Sequence, residues 1–255
     1  MLLVAAATGL ELRAALGVQA ADVARQGEVF AVTAHGRPVL ALVTGIGVVN
    51  AAFALGRALG RGQQKVSGVL CLGVAGSFDT AARPLGSAWL VERETWPEYG
   101  LLFSGQCAAD ARGLGFSLDG RTAGDPEAVF DTLAWDARAE AARLDLDASG
   151  LGLASSLTVS GVSADPQRAR ALAERFGAGL ENMALLENMA LLENMEGFAL
   201  AYAARQVDLP FAELRAVSNA VGSRPPKDWD LPCALAALGC AAEKLLAPQA
   251  GPAST

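Results

Sequence analysis

Only one histidine, His35, occurs in 255 residues. The four cysteines (Cys71, Cys107, Cys233, Cys240) show neither a Cys-x-x-Cys pair nor any other metal-ligand spacing. With so few nitrogen and sulfur donors a zinc site is not expected. The cysteines are expected to be reduced, buried thiols of a cytoplasmic protein. Basic residues are also short, 20 Lys and Arg against 27 Asp and Glu, for a net charge of -7 and an isoelectric point near 4.8. That balance argues against nucleic acid or an anionic membrane surface as partner. No uncharged apolar run approaches the ~18 residues of a membrane span. The opening MLLVAAATGLELRAAL lacks a basic leader and is interrupted by Glu11 and Arg13, so it reads as a first buried strand and not as a signal peptide.

What is present is apolar bulk. At 52% hydrophobic residues the chain can bury one large core, which predicts a single domain over residues 1–246 and a disordered tail at 247–255. Leu2–Ala7 reads as a strand and Thr8–Leu16 as a turn into a helix. Val29–Ala34 and Arg37–Val43 flank His35-Gly36, a two-residue hairpin turn in which His35 is expected to be exposed. Gly45–Gly47 leads into an Ala-rich helix to about Leu59. Val66–Leu72 is a continuous apolar run, as in a strand covered on both faces. Ser87–Val91 is a strand followed by a loop over Glu92–Gly100, and residues 104–125 read as irregular. Pro126–Arg143 has helical spacing, Leu151–Val159 is strand-like, and Asp165-Pro166 starts a helix. Phe211–Val217 is a further strand and Asp230–Leu246 a closing helix. Strands alternating with helices predict an α/β fold, a three-layer α/β/α sandwich around a mixed, largely parallel twisted sheet.

One tract breaks this regularity. Leu180–Phe198 reads LENMALLENMALLENMEGF, with Glu-Asn-Met-Ala-Leu-Leu in identical form from Glu181 and from Glu187. A third Glu-Asn-Met, from Glu193, continues instead as Glu196-Gly197-Phe198. Inside a helix, twelve added residues would rotate the downstream part by about 120° and lengthen the element by about 18 Å. The tract therefore reads as an insertion at 181–192 that loops out between a strand and a helix, leaving Asn194–Gly197 at their junction. The rival register keeps Leu180–Met183 in the strand and puts Ala184 where Glu196 would stand.

Four further segments fall at the C-terminal ends of predicted strands, the edge where open α/β sheets bind ligands. Glu11 lies just beyond the first; taken alone it reads as a solvated helix-start carboxylate. Gly45 and Gly47, in Thr44–Asn50, let backbone amides approach a small polar group, although the dinucleotide fingerprint is absent. Gly73–Phe78 is a small-residue turn carrying one hydroxyl, Ser77. Arg215–Asn219, followed by Gly222 and Arg224, places an amide that can both donate and accept at a strand end.

In this order and spacing, TGIGVVNAA (44–52), GVAGSF (73–78), PLGSAWLVERE (84–94), LTVSGVSAD (157–165), ENMEG (193–197) and RAVSNAVGSR (215–224) are specific. From Leu2 to about Trp229 the chain resembles the nucleoside phosphorylase and nucleosidase superfamily, and within it the futalosine hydrolase branch. The resemblance implies hydrolysis of an N-glycosidic bond in a homo-oligomer, without cofactor. It implies that Glu11 orients or deprotonates water, with Ser77, Gly45 and Gly47 helping to hold it. Glu196 would accept from ribose hydroxyls, Met195 would pack on the sugar, and Asn194 belongs to the same binding segment. Val162 and Ser163 match the segment lining the base. Asn219 stands where adenine-releasing relatives carry Asp, which points to a 6-oxopurine. Arg224 is the candidate clamp for a substrate carboxylate, and Trp96 and Trp229 are candidate walls. Purine nucleoside phosphorylase, and a nucleoside-binding protein inactivated by the repeat, are the alternatives.

Overall fold

The computed structural model describes residues 1–17, 25–60, 65–177, 191–223 and 228–248. Its elements in chain order are β1 (Leu2–Ala6), α1 (Gly9–Leu16), β2 (Val29–Ala34), β3 (Arg37–Val43), α2 (Val48–Gly60), β4 (Gly68–Ser77), β5 (Ala88–Thr95), β6 (Thr132–Ala134), α3 (Ala137–Arg143), β7 (Gly152–Thr158), α4 (Pro166–Gly177), β8 (Leu191–Asn194), α5 (Gly197–Arg205), β9 (Phe211–Ala220) and α6 (Leu231–Leu246).

Alternation explains the layers. In β1, Leu2, Val4 and Ala6 enter one core and Leu3 and Ala5 the other, so the strand is apolar throughout because it is covered on both faces. The first core takes α1, α3 and α6, through residues such as Leu12, Ala141 and Leu238. The second takes α2 and α5, through Leu55, Phe198 and Leu200. This is the expected α/β sandwich with a mixed sheet.

Strand order runs β2-β3-β1-β4-β8-β7-β5-β6, and β9 pairs with both β4 and β5. The strands β4, β8, β7, β5 and β9 therefore close into a ring within the sheet. Alternation of elements along the chain does not reveal such a closure, because pairing partners are a tertiary choice.

Several boundaries differ from expectation. Only Ala137–Arg143 of the helical segment Pro126–Arg143 is α-helix, because Asp136 caps it by accepting from the N–H groups of Arg138 and Ala139. Just upstream, Thr132–Ala134 pairs as β6 against β5, and this pairing extends β5 through the expected loop as far as Thr95. The tight turn at Gly73–Phe78 is instead the continuation of β4, which runs to Ser77 alongside β9. His35 is half-buried rather than exposed; its Nε2 lies 2.8 Å from the Ala15 carbonyl oxygen at the end of α1. Cys71 alone of the cysteines is buried, whereas Cys233 and Cys240 are exposed, seven residues apart on the outer side of α6.

The repeat tract meets the sheet where its second copy runs into its third. Leu191 and Leu192, placed in the insertion by the sequence reading, pair with Ser155 and Ser156 of β7. They are the last two residues of the second copy; residues 178–190, which hold the first copy and the rest of the second with Ala184 and Ala190, lie outside the described residues. The tail from residue 249 lies outside them as well.

Candidate active site

Thr8 caps α1 in an extended conformation, and Glu11 completes a capping box. Glu11 Oε2 accepts from the Thr8 N–H at 3.0 Å and from the Thr8 hydroxyl at 2.7 Å. Its other oxygen, Oε1, accepts from the Val74 N–H at 3.0 Å. The carboxylate is 6% exposed, so the solvated helix-start reading is replaced by a capping carboxylate turned inward onto β4. Gly73 makes this possible. A Cβ there would collide with the Arg215 guanidinium and stand 3.0 Å from Glu11 Oε1, so the missing side chain lets Glu11 and Arg215 meet.

Glu196, between β8 and α5, joins them. Its Oε1 accepts from the Gly47 N–H at 2.9 Å, and its Oε2 lies 3.6 Å from Arg215 Nη1. Gly45 and Gly47 both have positive φ, 86° and 91°, which turns the loop before α2 so that the Gly47 N–H faces Glu196. Burial pushes the Glu196 carboxyl up; Arg215 and the Gly47 N–H oppose that rise, while the Glu11 carboxylate adds to it. Two carboxylates and one guanidinium thus converge on the second half of β4.

Farther along, β9 carries a bulge. Ala75 pairs with Val217 but Gly76 pairs with Asn219, so Ser218 is the extra residue and Asn219 is re-aimed towards Gly76. A Cβ on Gly76 would stand 3.1 Å from Asn219 Nδ2. Asn219 Oδ1 accepts from the Ser218 hydroxyl at 2.8 Å and Nδ2 donates to the Ala220 carbonyl at 3.0 Å. One N–H and one lone pair of the amide stay available for a ligand. Glu11 approaches β4 at Gly73 and Asn219 approaches it at Gly76, three residues farther along, a rise of about 10 Å.

The remaining expected residues divide. Ser77 is buried, its hydroxyl accepting from the Asp79 N–H at 3.1 Å. Met195 packs beside Phe78 and the cluster of Leu157, Val159 and Leu172, as a wall. Val162 is half-buried. Ser163 gives both its N–H and its hydroxyl to Glu193, at 2.9 and 2.6 Å, and so has no free donor for a base. Its side chain is a strut between β8 and the segment after β7. Burial pushes the Glu193 carboxyl up, and the two Ser163 bonds hold it back.

Asn194 is engaged in the same way. Its Nδ2 donates to Glu94 Oε1 at 2.6 Å and to the Ser156 hydroxyl at 2.7 Å. Its Oδ1 accepts from the N–H groups of Glu196 and Gly197, at 2.9 and 2.8 Å, and from Arg215 Nη2 at 3.2 Å. With the amide fully engaged, Asn194 folds the turn that carries Glu196 and does not face a ligand. Trp96 stacks on Tyr99 and packs into the core beside Phe198. Trp229 bridges to Asn219 and donates its indole N–H to the Ser223 carbonyl. Arg224 lies outside the described residues.

Beneath the site is a buried set that motif reading passes over: Glu94, Glu213, Arg215, Ser156 and Thr158. Arg215 Nε donates to Glu213 Oε1 at 2.7 Å, and both residues are nearly inaccessible. The signal was present, since Glu213 and Arg215 are two residues apart on one face of the otherwise apolar run Phe211–Val217. Charge inside such a run is costly unless paired, so it marks a partner elsewhere in the fold.

The chain belongs to the phosphorylase superfamily, whose family model matches residues 2–245. Along its length it is 36% identical over 239 residues to a futalosine hydrolase of Thermus thermophilus, covering 89% of this chain and 91% of that one. Two solved structures share the fold at low identity. A futalosine hydrolase mutant of Helicobacter pylori matches at a TM-score of 0.64 and 16% identity, over 95% of this chain and 97% of that one. The 5'-methylthioadenosine/S-adenosylhomocysteine nucleosidase of the same organism, with a bound butyl-thio-DADMe-Immucillin-A, matches at 0.64 and 17%, over 95% and 94%.

Proposed function

We propose that the chain is a nucleosidase that hydrolyses the N-glycosidic bond of futalosine, releasing hypoxanthine and dehypoxanthine futalosine in menaquinone biosynthesis. The observation that carries this reading is the meeting of Glu11, Glu196 and Arg215 on β4, with the Asn219 amide farther along the same strand, in a chain 36% identical to a futalosine hydrolase over most of its length. In the reaction the bond from the anomeric carbon to the purine nitrogen breaks with an oxocarbenium-like transition state. Water supplies a hydroxyl group to that carbon; its other proton passes to Glu11 and, by exchange with solvent, is balanced by the proton that the leaving purine takes up, so Glu11 ends as it began. Glu11 is the general base, aimed by its two bonds to Thr8 and one to Val74. Glu196 accepts from the ribose hydroxyls, with Arg215 beside it to keep it charged. Asn219 donates to O6 or accepts from N7–H of the leaving hypoxanthine.

The test is purine release from futalosine, inosine and methylthioadenosine, each with and without phosphate. Hypoxanthine released from futalosine without phosphate is the expected result. Phosphate-dependent cleavage of inosine would instead make the chain a phosphorylase, and binding without turnover would make it a nucleoside-binding protein. In the same assay Asn219→Asp removes the donor to O6. It is expected to cost about 1–3 kcal/mol, roughly 10–100-fold in kcat/KM, on the 6-oxopurine substrate while sparing a 6-aminopurine one. Equal losses on both would detach Asn219 from base selection. The carboxylate clamp assigned to Arg224 belongs to this proposal, and the preference for futalosine over inosine is where it is read.

The reading includes a cytoplasmic homo-oligomer of at least two subunits. Ile46, Val49 and Phe53, at 58%, 78% and 67% exposure, make an apolar stripe beside the Gly47 loop that a second copy would cover. Light scattering is expected to give at least twice the 26.1 kDa of one chain. A monomer at micromolar concentration would remove the oligomer from the proposal.

A further inference from the structure

Glu94 lies a layer below the site, on β5, with no accessible surface. Its Oε1 accepts from Asn194 Nδ2 at 2.6 Å and its Oε2 is 2.6 Å from the Thr158 hydroxyl. Asn194 Oδ1 and Thr158 Oγ1 then take three N–H groups at the head of α5, those of Glu196, Gly197 and Phe198. These donors have no partner within their own helix, so the two side chains decide where the helix starts and where Glu196 points. Glu94 is the one group that holds both of them.

The proton count is informative. The Thr158 hydroxyl carries one hydrogen but faces two acceptors, Glu94 Oε2 at 2.6 Å and Asn194 Oδ1 at 3.3 Å, while accepting from the Phe198 N–H at 2.7 Å. A proton on Glu94 Oε2 removes the conflict: the acid donates to Thr158, and Thr158 donates to Asn194. The hydroxyl then makes its full set of one donated and two accepted bonds. Charge points the same way. On β9, Glu213 and Arg215 face Glu94, and at the head of α5 the Glu196 carboxylate reaches the same guanidinium. From β4 comes only the Cys71 thiol, and from β7 and β8 the neutral Ser156, Thr158 and Asn194. Beyond Glu196, Glu11 adds a further carboxylate. One cation is thus set among several acids. A Cβ on Gly197 would collide with both Glu94 and Glu213, which places their carboxyl groups side by side. Glu213 Oε2 has no hydrogen-bond partner, so nothing there offsets a second full charge.

We propose that Glu94 is a positioning residue held as a neutral carboxylic acid, which in that form orients Asn194 and Thr158 and so sets Glu196 for the ribose. This rests on the nucleosidase reading only for its catalytic arm. The carboxyl is pushed well above its usual 4.5, first by burial and then by Glu213, with Thr158, Arg215 and Asn194 opposing. Such a group is neutral in both states below the unfolded value. As pH rises the unfolded chain ionises first, so the folded state loses stability until the buried group ionises too.

Glu94→Gln and Glu94→Ala are the test, each read by kcat/KM against pH and by melting temperature against pH. Gln keeps an acceptor for Asn194 and supplies a permanent donor to Thr158. Glu94→Gln is therefore expected to retain kcat/KM within about threefold and to flatten any alkaline fall of the parent, while Glu94→Ala loses about 100-fold, the scale of a 1 Å misplacement. The melting temperature of Glu94→Gln relative to the parent is expected to rise with pH. A Gln variant as damaged as the Ala variant, or with an unchanged pH profile of melting, would overturn the proposal. If the parent turns over no nucleoside, the nucleosidase reading fails, and the melting arm still decides the proton on Glu94.

Discussion

Glu11→Gln is expected to lower kcat by about 10²–10⁴-fold while leaving the fold intact. The separation is possible because the residue has two functions with different chemical needs. As the fourth partner of a capping box it has only to accept the Thr8 N–H, and glutamine does that as well as glutamate. As a base it must take a proton from water, which an amide cannot. With its single oxygen at the Oε2 place, the variant turns an NH2 towards the Val74 N–H, so that one bond is lost and the protein is expected to fold with a stability loss of about 1–3 kcal/mol. Steady-state purine release and a melting curve on one preparation check both halves. A variant with parental kcat would show that water is activated elsewhere, and Glu196 would then be the carboxylate to replace.

The second large effect is on stability. Arg215→Ala is expected to cost about 3–5 kcal/mol, because removing one partner of a buried ion pair leaves the other charged and dry. Arg215 is 1% exposed and serves Glu213 at 2.7 Å, Glu196 at 3.6 Å and Asn194 Oδ1 at 3.2 Å. Its loss would leave Glu213 with neither oxygen satisfied, since Oε2 is already unpartnered. Arg215→Lys should recover only part of the loss, since one ammonium cannot replace a planar fork that meets several acceptors. Chemical denaturation of the three proteins measures this. A parental midpoint for Arg215→Ala would mean that the carboxylates around it are neutral or hydrated in the folded protein. The melting profile of Glu94→Gln would show whether Glu94 is one of them.

Much of the fold was legible along the chain. The hairpin of β2 and β3 matches residue for residue, because His35-Gly36 supplies the left-handed backbone that its turn demands. Asp165, Asp230 and the apolar periodicity downstream of each placed α4 and α6 to within a residue. Failures came where pairing overrode local preference. Residues 132–134 carry a helical pattern yet form β6, because the edge of β5 offers them hydrogen bonds. Motif reading named Glu11, Gly47, Glu196 and Asn219, which the fold gathers around the second half of β4. The polar groups of Asn194 and Ser163, which it also named, are engaged by Glu94, Ser156 and Glu193.

The repeat shows where local text ends and tertiary structure begins. Three copies of Glu-Asn-Met are written in the chain, and only the third is followed by Glu-Gly. That difference is chemical: Glu196 meets the Gly47 N–H and Arg215, and Gly197 leaves room for Glu94 and Glu213 where any Cβ would collide. By itself the sequence determined the order of the elements other than β6, because periodicity, caps and turns act over a few residues. The ring closure of β4, β8, β7, β5 and β9, the bulge that turns Asn219, and the buried set around Arg215 were decided only in the tertiary structure. Each depends on which distant groups share a dry space, and in that space every charge and donor must find its partner across the sheet and not along the chain.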